Sequence, residues 1–449
     1  MQIRIKKGLD IPAGPGPEPT IVSGPAVKSV ALLGADYVDL KPRVLVAEGQ
    51  RVRLGQPLVA DRRNPAVVLT SPGCGSVAAV VRGERRSLRS LVVRLEGEEE
   101  ETFPAHPPGE LESLSEASVR ETLLASGSWS ALRTRPFGTI PAPDSRPRSI
   151  FVTAMDTNPL ALPPDLVLRD HAGPFRAGLQ VLKKLTAGPL FVCCAPGTDV
   201  ESPPDSGLEI VTFHGPHPAG LPGTHIHFLD PVGPGKTVWY IGYQEVIAVG
   251  WLFTTGRLWT ERFVSVAGPM VREPRVVRTR PGASLEDLLE GGLREGGRRV
   301  ISGSVLSGRR AVGPDAYLGR HHTQVSVFPE GTSRRFLGWL APGRDRYSSH
   351  RAFLSSLVRP RGPFEIDTGL GGAPRALVPI GNFEKVMPLD LLPTLLLRHL
   401  LVKDTETARR LGCLELEEED LALCSFVCPS KFDFGPLLRD TLTTLGKGG

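Results

Sequence analysis

Residues Gly412 to Pro436 read GCLELEEEDLALCSFVCPSKFDFGP, and how this stretch is interpreted decides what kind of fold the chain ends in. A ferredoxin-type iron–sulfur loop runs C-x2-C-x2-C-x3-C-P, a spacing that lets four thiolates wrap one cluster. Cys424, Cys428 and Pro429 keep the end of that pattern. Counting back, the first two ligand positions fall on Glu418 and Leu421, and Cys413 lies five residues too early. The run Glu417 to Asp420 would crowd negative charge around any thiolate site. The stretch therefore reads as a cluster frame that has lost its cluster, with Cys413, Cys424 and Cys428 as its relic loop, against the alternative of a three-cysteine metal site.

Around this stretch the chain turns helical. After about residue 346, helices are expected over 387–402, 404–411, 419–426 and 436–445, with Pro429 and Pro436 bracketing the FDFG turn. Upstream, residues 261–345 have the texture of a small β-grasp-like unit, in which Ser284 caps a short helix. From 148 to 260 the pattern alternates. The segments SIFVTAM (149–155), LFVCC (190–194) and EIVTF (209–213) read as strands, and Phe175, Leu179, Leu182 and Leu185 recur at helical spacing. This implies a Rossmann-like parallel sheet, but no G-x-G-x-x-G follows any of its strands. Residues 106–147 read as a connecting segment with one helix, over 114–126. Residues 1–105 read as short β runs broken by Gly, Pro and Asn, in the order of a biotinyl/lipoyl-like flattened barrel. Its hairpin carries Asp61, Arg62, Arg63 and Asn64 in place of a modifiable Lys, so no prosthetic arm attaches there. The expected fold class is thus multidomain α+β.

Several patterns in the α/β unit imitate sites. Gly233-Pro-Gly-Lys236-Thr237 lacks the first glycine of a phosphate-binding loop, because that position is Asp230. His214, His217, His225 and His227 have no helical i, i+4 pair, which favours polar-network roles over zinc. Strand alternation sends Cys193 and Cys194 to opposite faces, as packing residues rather than nucleophiles.

Composition narrows the rest. The chain has 449 residues, 53 basic against 48 acidic, and 93 Gly plus Pro. Its 42 arginines are scattered, with no basic tract interleaved with aromatics, so no nucleic-acid partner is expected. Six cysteines, two of them adjacent, make no disulfide framework, and MQIRIKKGLDIP lacks the apolar core of a signal peptide. LDLLPTLLLRHLLV (389–402) is too short and too interrupted to span a bilayer, so a reducing, cytoplasmic setting with at most peripheral membrane attachment is expected.

Long stretches in order, among them IKKGLDIP, KSVALLGADYV, SALRTRPFGTIPAP, IFVTAMDTNPLA, HGPHPAGLPGTHIHFLDPV, KTVWYIGYQEVIAVGWLFTTG, RVISGSVLSG, LVPIGNFEKVMPLDLLPTLLLRHL and the C-terminal loop, resemble the A subunit of the Na+-translocating NADH:quinone reductases (the Nqr complexes), membrane complexes of bacteria. More distantly the order of units is similar to the C subunit of the Rnf complex and the flavin-binding subunit of complex I. Where those relatives carry a glycine-rich flavin loop, this chain has Leu132 to Pro141, bulky and proline-rich, which cannot bring backbone N–H groups against a phosphate. The resemblance implies a peripheral subunit on the cytoplasmic face of the inner membrane that binds no cofactor itself. FMN, FAD, riboflavin and iron centres would sit in other subunits, and the chief partner would be the flavin-bearing membrane subunit, the B subunit of the complex. It also implies interaction with ubiquinone, for which the relic flavin cleft offers Arg133, Arg135, Phe137, Met155 and Asp156; the same residues would otherwise only pack and cap. The runner-up, an iron–sulfur electron carrier like the C subunit of Rnf, would use the three C-terminal cysteines.

Overall fold

The computed structural model describes the chain except for residues 201–206, 333–339, 345, 350, 351, 359–363, 365, 448 and 449. Parts of the expected 261–345 and 346–449 units therefore lie outside the described residues.

The chain begins by serving two later units. Strand β1 (Gln2–Arg4) runs parallel to a strand of the α/β sheet, and β2 (Glu18–Ser23) adds to the edge of the β-grasp-like sheet. This differs from the expectation of one β unit over 1–105, because short β runs carry no signal of which sheet edge they complete. The flattened barrel itself starts at β3 (Ser29–Leu33). It continues through β4 (Pro42–Val44), β5 (Arg51–Val52), β6 (Pro57–Asp61), β7 (Val68–Thr70), β8 (Gly75–Arg82) and β9 (Leu88–Leu95). Two sheets, ordered β3-β9-β8-β5 and β4-β6-β7, close over Val30, Leu58, Leu69, Leu91 and Val93.

The next residues are not a mere connector. Helix α1 (Glu116–Ala125) starts at Ser115, whose hydroxyl accepts from the Ser118 N–H, and β10 (Arg133–Arg135) pairs antiparallel with β14 (Val238–Gly242). Between them in sequence come β11 (Ile150–Ala154), α2 (Asp165–Asp170), α3 (Ala172–Lys183), β12 (Leu190–Cys194), β13 (Leu208–His214) and α4 (Pro222–Leu229). Helix α5 (Tyr243–Thr255) follows β14, and the sheet order is β1-β13-β12-β11-β14-β10. Alternation holds at the paired cysteines. Cys194 packs with the cluster under α3 and α5, and Cys193 with Phe151, Phe191 and Phe213 on the other face. Helices α3 and α5 approach so closely that a Cβ on Gly178 would lie 2.0 Å from the Val246 carbonyl, a contact only glycine permits.

The third unit pairs β15 (Arg262–Ala267), β16 (Arg275–Thr279), β17 (Arg298–Ser302), β18 (Arg309–Arg310) and β19 (Gln324–Pro329), with short helix α6 (Leu285–Leu288) over one face. Its two central strands, β15 and β19, are parallel, as a β-grasp arrangement requires. Ser284 caps α6, its hydroxyl accepting from the Asp287 N–H.

The chain ends in helices α7 (Asn382–Val386), α8 (Pro393–Leu401), α9 (Thr405–Arg410), α10 (Ala422–Val427) and α11 (Phe434–Lys447). Their core joins Phe383, Leu396, Leu400, Phe434 and Leu438 to all three C-terminal cysteines. Cys413, Cys424 and Cys428 are buried thiols; burial pushes Cys413 up to about 12 and Cys424 higher still. The two lost ligand positions have other work. Leu421 is fully buried, worth about 1.5–3 kcal/mol, and Glu418 is clamped by Arg439 at 2.6 Å through both carboxylate oxygens.

Candidate functional site

The strand order reverses between β11 and β14: the chain moves outward from β11 through β12 and β13, then returns to β11's other side with β14. Open α/β sheets bind ligands at the carboxyl ends of strands flanking such a switch point. An open cavity of about 150 Å3 lies there. Its walls come from the end of β11 (Met155, Asp156), the start of α5 (Tyr243, Gln244), the loop after β17 (Ser304), His321 and His322 before β19, and Arg133 with Tyr240 on the β10–β14 pair.

Three of the five residues expected to line a quinone pocket face this cavity: Arg133, Met155 and Asp156. The other two lie elsewhere. Arg135 is fully buried behind it, with Nη1 donating to the Asp420 carboxylate at 2.7 Å and to the Glu415 carbonyl at 2.8 Å. Phe137 packs in the C-terminal helical core, its ring 3.6 Å from where a Cβ on Gly446 would stand, and its carbonyl accepts from Arg439 at 2.6 Å. Strand alternation puts Arg133 and Arg135 on one face of β10, the first at the cavity and the second at the helical unit. The strand stops at Arg135, and a cis bond to Pro136 followed by Phe137 at φ 81° turns the chain toward the helices.

The acidic run that seemed hostile to a cluster is the seam between the C-terminal helices and the α/β sheet. Glu417 accepts from the Tyr240 hydroxyl at 2.6 and 2.7 Å and lies 3.5 Å from Arg135 and 3.9 Å from Arg133. Burial raises its pKa, but Arg135, Arg133 and the Tyr240 hydroxyl outweigh burial and hold it below the ordinary carboxylate range. Two glycines let these carboxylates approach: a Cβ on Gly138 would lie 2.4 Å from Glu417, and one on Gly223 2.2 Å from Asp420. Gly223 is in the first turn of α4, so the chain places its own carboxylate where helix N-termini attract anions.

The same turn, Glu418 to Leu421, turns Glu419 toward the cavity wall. Burial pushes Glu419 up to about 7, against the pull of Arg133, and Asp420 is raised by burial as well. The pair titrates together. Its proton resides on Glu419, because Oδ2 of Asp420 has Arg135 at 2.7 Å and the Glu417 N–H at 2.8 Å while Glu419 accepts no hydrogen bond from a described residue. Oε1 of Glu419 and Oδ1 of Asp420 are both buried oxygens without a hydrogen-bond partner among the described residues.

Arg133 itself is poised differently. Its guanidinium stands 4.4 Å from the Tyr240 ring centroid, a cation–π arrangement, and makes no hydrogen bond to protein among the described residues. Its N–H donors are thus available to the cavity. Across from it His321 is held well below its usual range by burial and then by Arg133, Arg320 and Arg262, and burial sets His322 at about 4, so both imidazoles are neutral. Sequence reasoning missed Tyr240, Glu419 and the His321-His322 pair. The signals were present as adjacent histidines and as an acidic turn beside the remnant of a cysteine frame.

Glu245 and Arg262 close one end of the cavity. Glu245 accepts from Arg262 and from Arg320, and although burial opposes ionisation these guanidiniums hold it at about 2. On their far side is a second cavity, of about 100 Å3, between the barrel and α5 and walled by Leu32, Leu33, Leu69, Val249 and Trp259.

The four suspect histidines do not converge. His217 bonds Thr157 at 3.2 Å, His225 meets the Ala219 carbonyl at 3.0 Å, and His227 links Glu415 at 2.7 Å to the Asp390 N–H at 2.9 Å. Among the described residues no three His, Cys, Asp or Glu side chains are grouped to hold a metal ion. Lys236 of the false phosphate loop is spent on Asp230 and the Pro231 carbonyl.

These features define a multidomain α+β protein with a barrel, in which a Rossmann-like sheet, a β-grasp-like unit and a helical unit surround a switch-point cavity lacking a glycine-rich phosphate loop. Residues 3–96 match the family described as "NqrA N-terminal barrel-sandwich hybrid domain", 114–258 the "NqrA second alpha/beta domain", and 263–313 the "NQRA C-terminal domain". Full-length relatives, each named as the A subunit of a Na(+)-translocating NADH-quinone reductase, are 53% identical over 447 residues in Pseudomonas aeruginosa (strain UCBPP-PA14) and in Saccharophagus degradans, and 52% identical in Neisseria gonorrhoeae, with 100% of each chain covered. The chain belongs to the family of A subunits of the Na+-translocating NADH-quinone reductases. A chain of an NAD+-reducing [NiFe]-hydrogenase matches half of it at 14% identity and a TM-score of 0.33, a likeness too slight to carry an argument.

Proposed function

We propose that this chain is a non-redox, peripheral subunit of the Na+-translocating NADH:quinone reductase and that its switch-point cavity seats the head of ubiquinone. The observation that carries the reading is Arg133, fixed over Tyr240 at 4.4 Å with its donors unspent toward the open switch-point cavity. A quinone needs such donors for its carbonyls and apolar surface for its ring. Met155 supplies part of that surface. The proline-rich turn at Arg135 to Phe137 and the carboxylate against α4 stand where a backbone cradle for a flavin phosphate would be needed, which supports the non-redox reading. The flavins and iron centres are accordingly assigned to other subunits, chiefly the flavin-bearing B subunit in the membrane, and this chain to the cytoplasmic face, held there by its partners. Among the described residues no helix is long and apolar enough to cross a bilayer. The second cavity has one observation in its favour as an alternative seat, its more aliphatic walls.

Titrating the full chain with a short-chain ubiquinone tests the reading. Saturable binding that Arg133→Ala weakens about tenfold, the loss of one charge-assisted hydrogen bond, is the expected result. No saturable binding, or equal affinity in a stably folded Arg133→Ala variant, contradicts it.

A further inference from the structure

Glu419 is a group that neither the packing of the seam nor the ion network uses. Its neighbours on the acidic turn are all engaged: Glu417 with Tyr240 and Arg135, Glu418 with Arg439, Asp420 with Arg135. Glu419 is the one residue of this turn that lines the cavity; its Oε1, like Oδ1 of Asp420 behind it, is a buried oxygen with no hydrogen-bond partner among the described residues. Glu419 is half-buried and only Oε1 is shut away from solvent; a buried, unpartnered oxygen disfavours the ionised form, so this position favours a proton or a ligand.

We propose that Glu419 is the hydrogen-bond donor to a carbonyl of the bound ligand, opposite Arg133, so that ligand affinity is gated by the proton on this carboxyl. This rests on the quinone reading of the cavity. A neutral carboxyl donates one O–H, whereas the ionised form can only accept and would meet the carbonyl oxygen with like partial charge. The charged and titratable groups facing Glu419 or the cavity it lines are Arg133 and Arg135 on β10, Tyr240 on β14, Glu417 and Asp420 on its own turn, His321 with His322 across the cavity, and Asp156, Tyr243, Glu245 and Arg262 in its walls. Burial raises Asp156 against the hydrogen bonds from Asn158, and Glu245 is held at about 2 by its arginines. Of these, the β10 arginines and Glu417 keep their charge, Tyr240 is raised far above its usual value by burial, and the histidines are neutral across the neutral range. The Glu419–Asp420 pair is thus the group set to change state near pH 7, and its labile proton is that of Glu419.

The test is titration of the full chain with a short-chain ubiquinone from pH 6 to pH 8.5, for the wild type, Glu419→Gln and Glu419→Ala, with thermal melts confirming folding. The wild type is expected to lose about tenfold in affinity as pH rises through about 7. Glu419→Gln, whose amide donates at every pH, should bind as tightly as the wild type at pH 6 and show no such loss. Glu419→Ala should bind about tenfold more weakly than the wild type at pH 6 and show no pH dependence. The same pH dependence in Glu419→Gln as in the wild type overturns the role of Glu419 while leaving the quinone site standing. Absence of wild-type binding at pH 6, where it should be tightest, overturns both.

Discussion

Replacing Arg135 with Met should loosen the C-terminal helices from the sheet and steepen the weakening of that contact as pH rises, which the raised Glu419 and Asp420 already impose on the wild type. The side chain has no exposed surface, and its loss strips Asp420 of a 2.7 Å partner, Glu417 of one at 3.5 Å and the Glu415 carbonyl of a donor at 2.8 Å. Breaking one side of a buried ion pair costs about 3–5 kcal/mol, mostly because the surviving charge stays buried. One pKa unit corresponds to ~1.4 kcal/mol, so the local opening equilibrium should rise by roughly 10² to 10⁴. Amide hydrogen exchange in the Glu415 to Leu421 segment reads this directly. In the wild type, Glu417 is held below its unfolded value, so its contribution is present above the ordinary carboxylate range and is lost on acidification. In Arg135→Met the two carboxylates are buried without their cation. Their pKa values should rise, and the variant should open more readily at pH 8 than at pH 5. Protection within threefold of the wild type at both pH values would refute the reasoning. Arg439→Met is the milder comparison: its partner Glu418 is 39% exposed, and with the Phe137 carbonyl also losing its donor the expected loss is about 1–2 kcal/mol, below that of Arg135→Met.

Gly223→Ala places a methyl 2.2 Å from Asp420, and the same segment should lose protection by an amount equivalent to about 1–3 kcal/mol; an unchanged exchange pattern would mean the turn does not rest on α4. Tyr240→Phe removes the hydroxyl that serves both Glu417 oxygens, costing about 1.5–3 kcal/mol in urea unfolding, and a neutral result would show that water replaces it. His217 and His225 are lowered to about 4 and 3 by burial, so each stabilises the fold above pH 6.5 and loses roughly 3 kcal/mol or more as pH falls to 4 and below. His225→Gln should flatten that acid limb, and retention of the full slope would remove His225 from the account. The purified full chain should be colourless; stoichiometric iron or flavin with a visible absorption band after anaerobic purification would restore the electron-carrier reading.

Period-2 and period-3.6 patterns made most elements readable in advance, from Leu190 to Cys194 as a buried strand to the tail helix. Edge strands escaped because residues 2–4 and 18–23 complete sheets built from chain more than two hundred residues away, a pairing no local pattern encodes. The segment read as a connector contributes β10, three residues too short to show alternation. At the site, the reading from Arg133 to Phe137 treated five neighbours as one surface, whereas the chain sends Arg133 to the cavity, Arg135 into the seam and, past the turn at Pro136, Phe137 into the helices. The acidic run was judged only against thiolates in its own loop. Its partners, Arg133, Arg135 and Tyr240, lie far away in sequence, and only the fold brings them together.

The claim that the switch-point cavity holds the quinone head is tested most directly by a photoreactive short-chain ubiquinone, cross-linked to the assembled complex and mapped by mass spectrometry. Adducts on this chain within Thr153 to Asn158, Tyr240 to Gln244 or Gly303 to Gln324, suppressed by excess unlabelled quinone, are the predicted result. Labels confined to Ala31 to Tyr37 and Ser126 to Ala131 around the second cavity, or to other subunits, would contradict it.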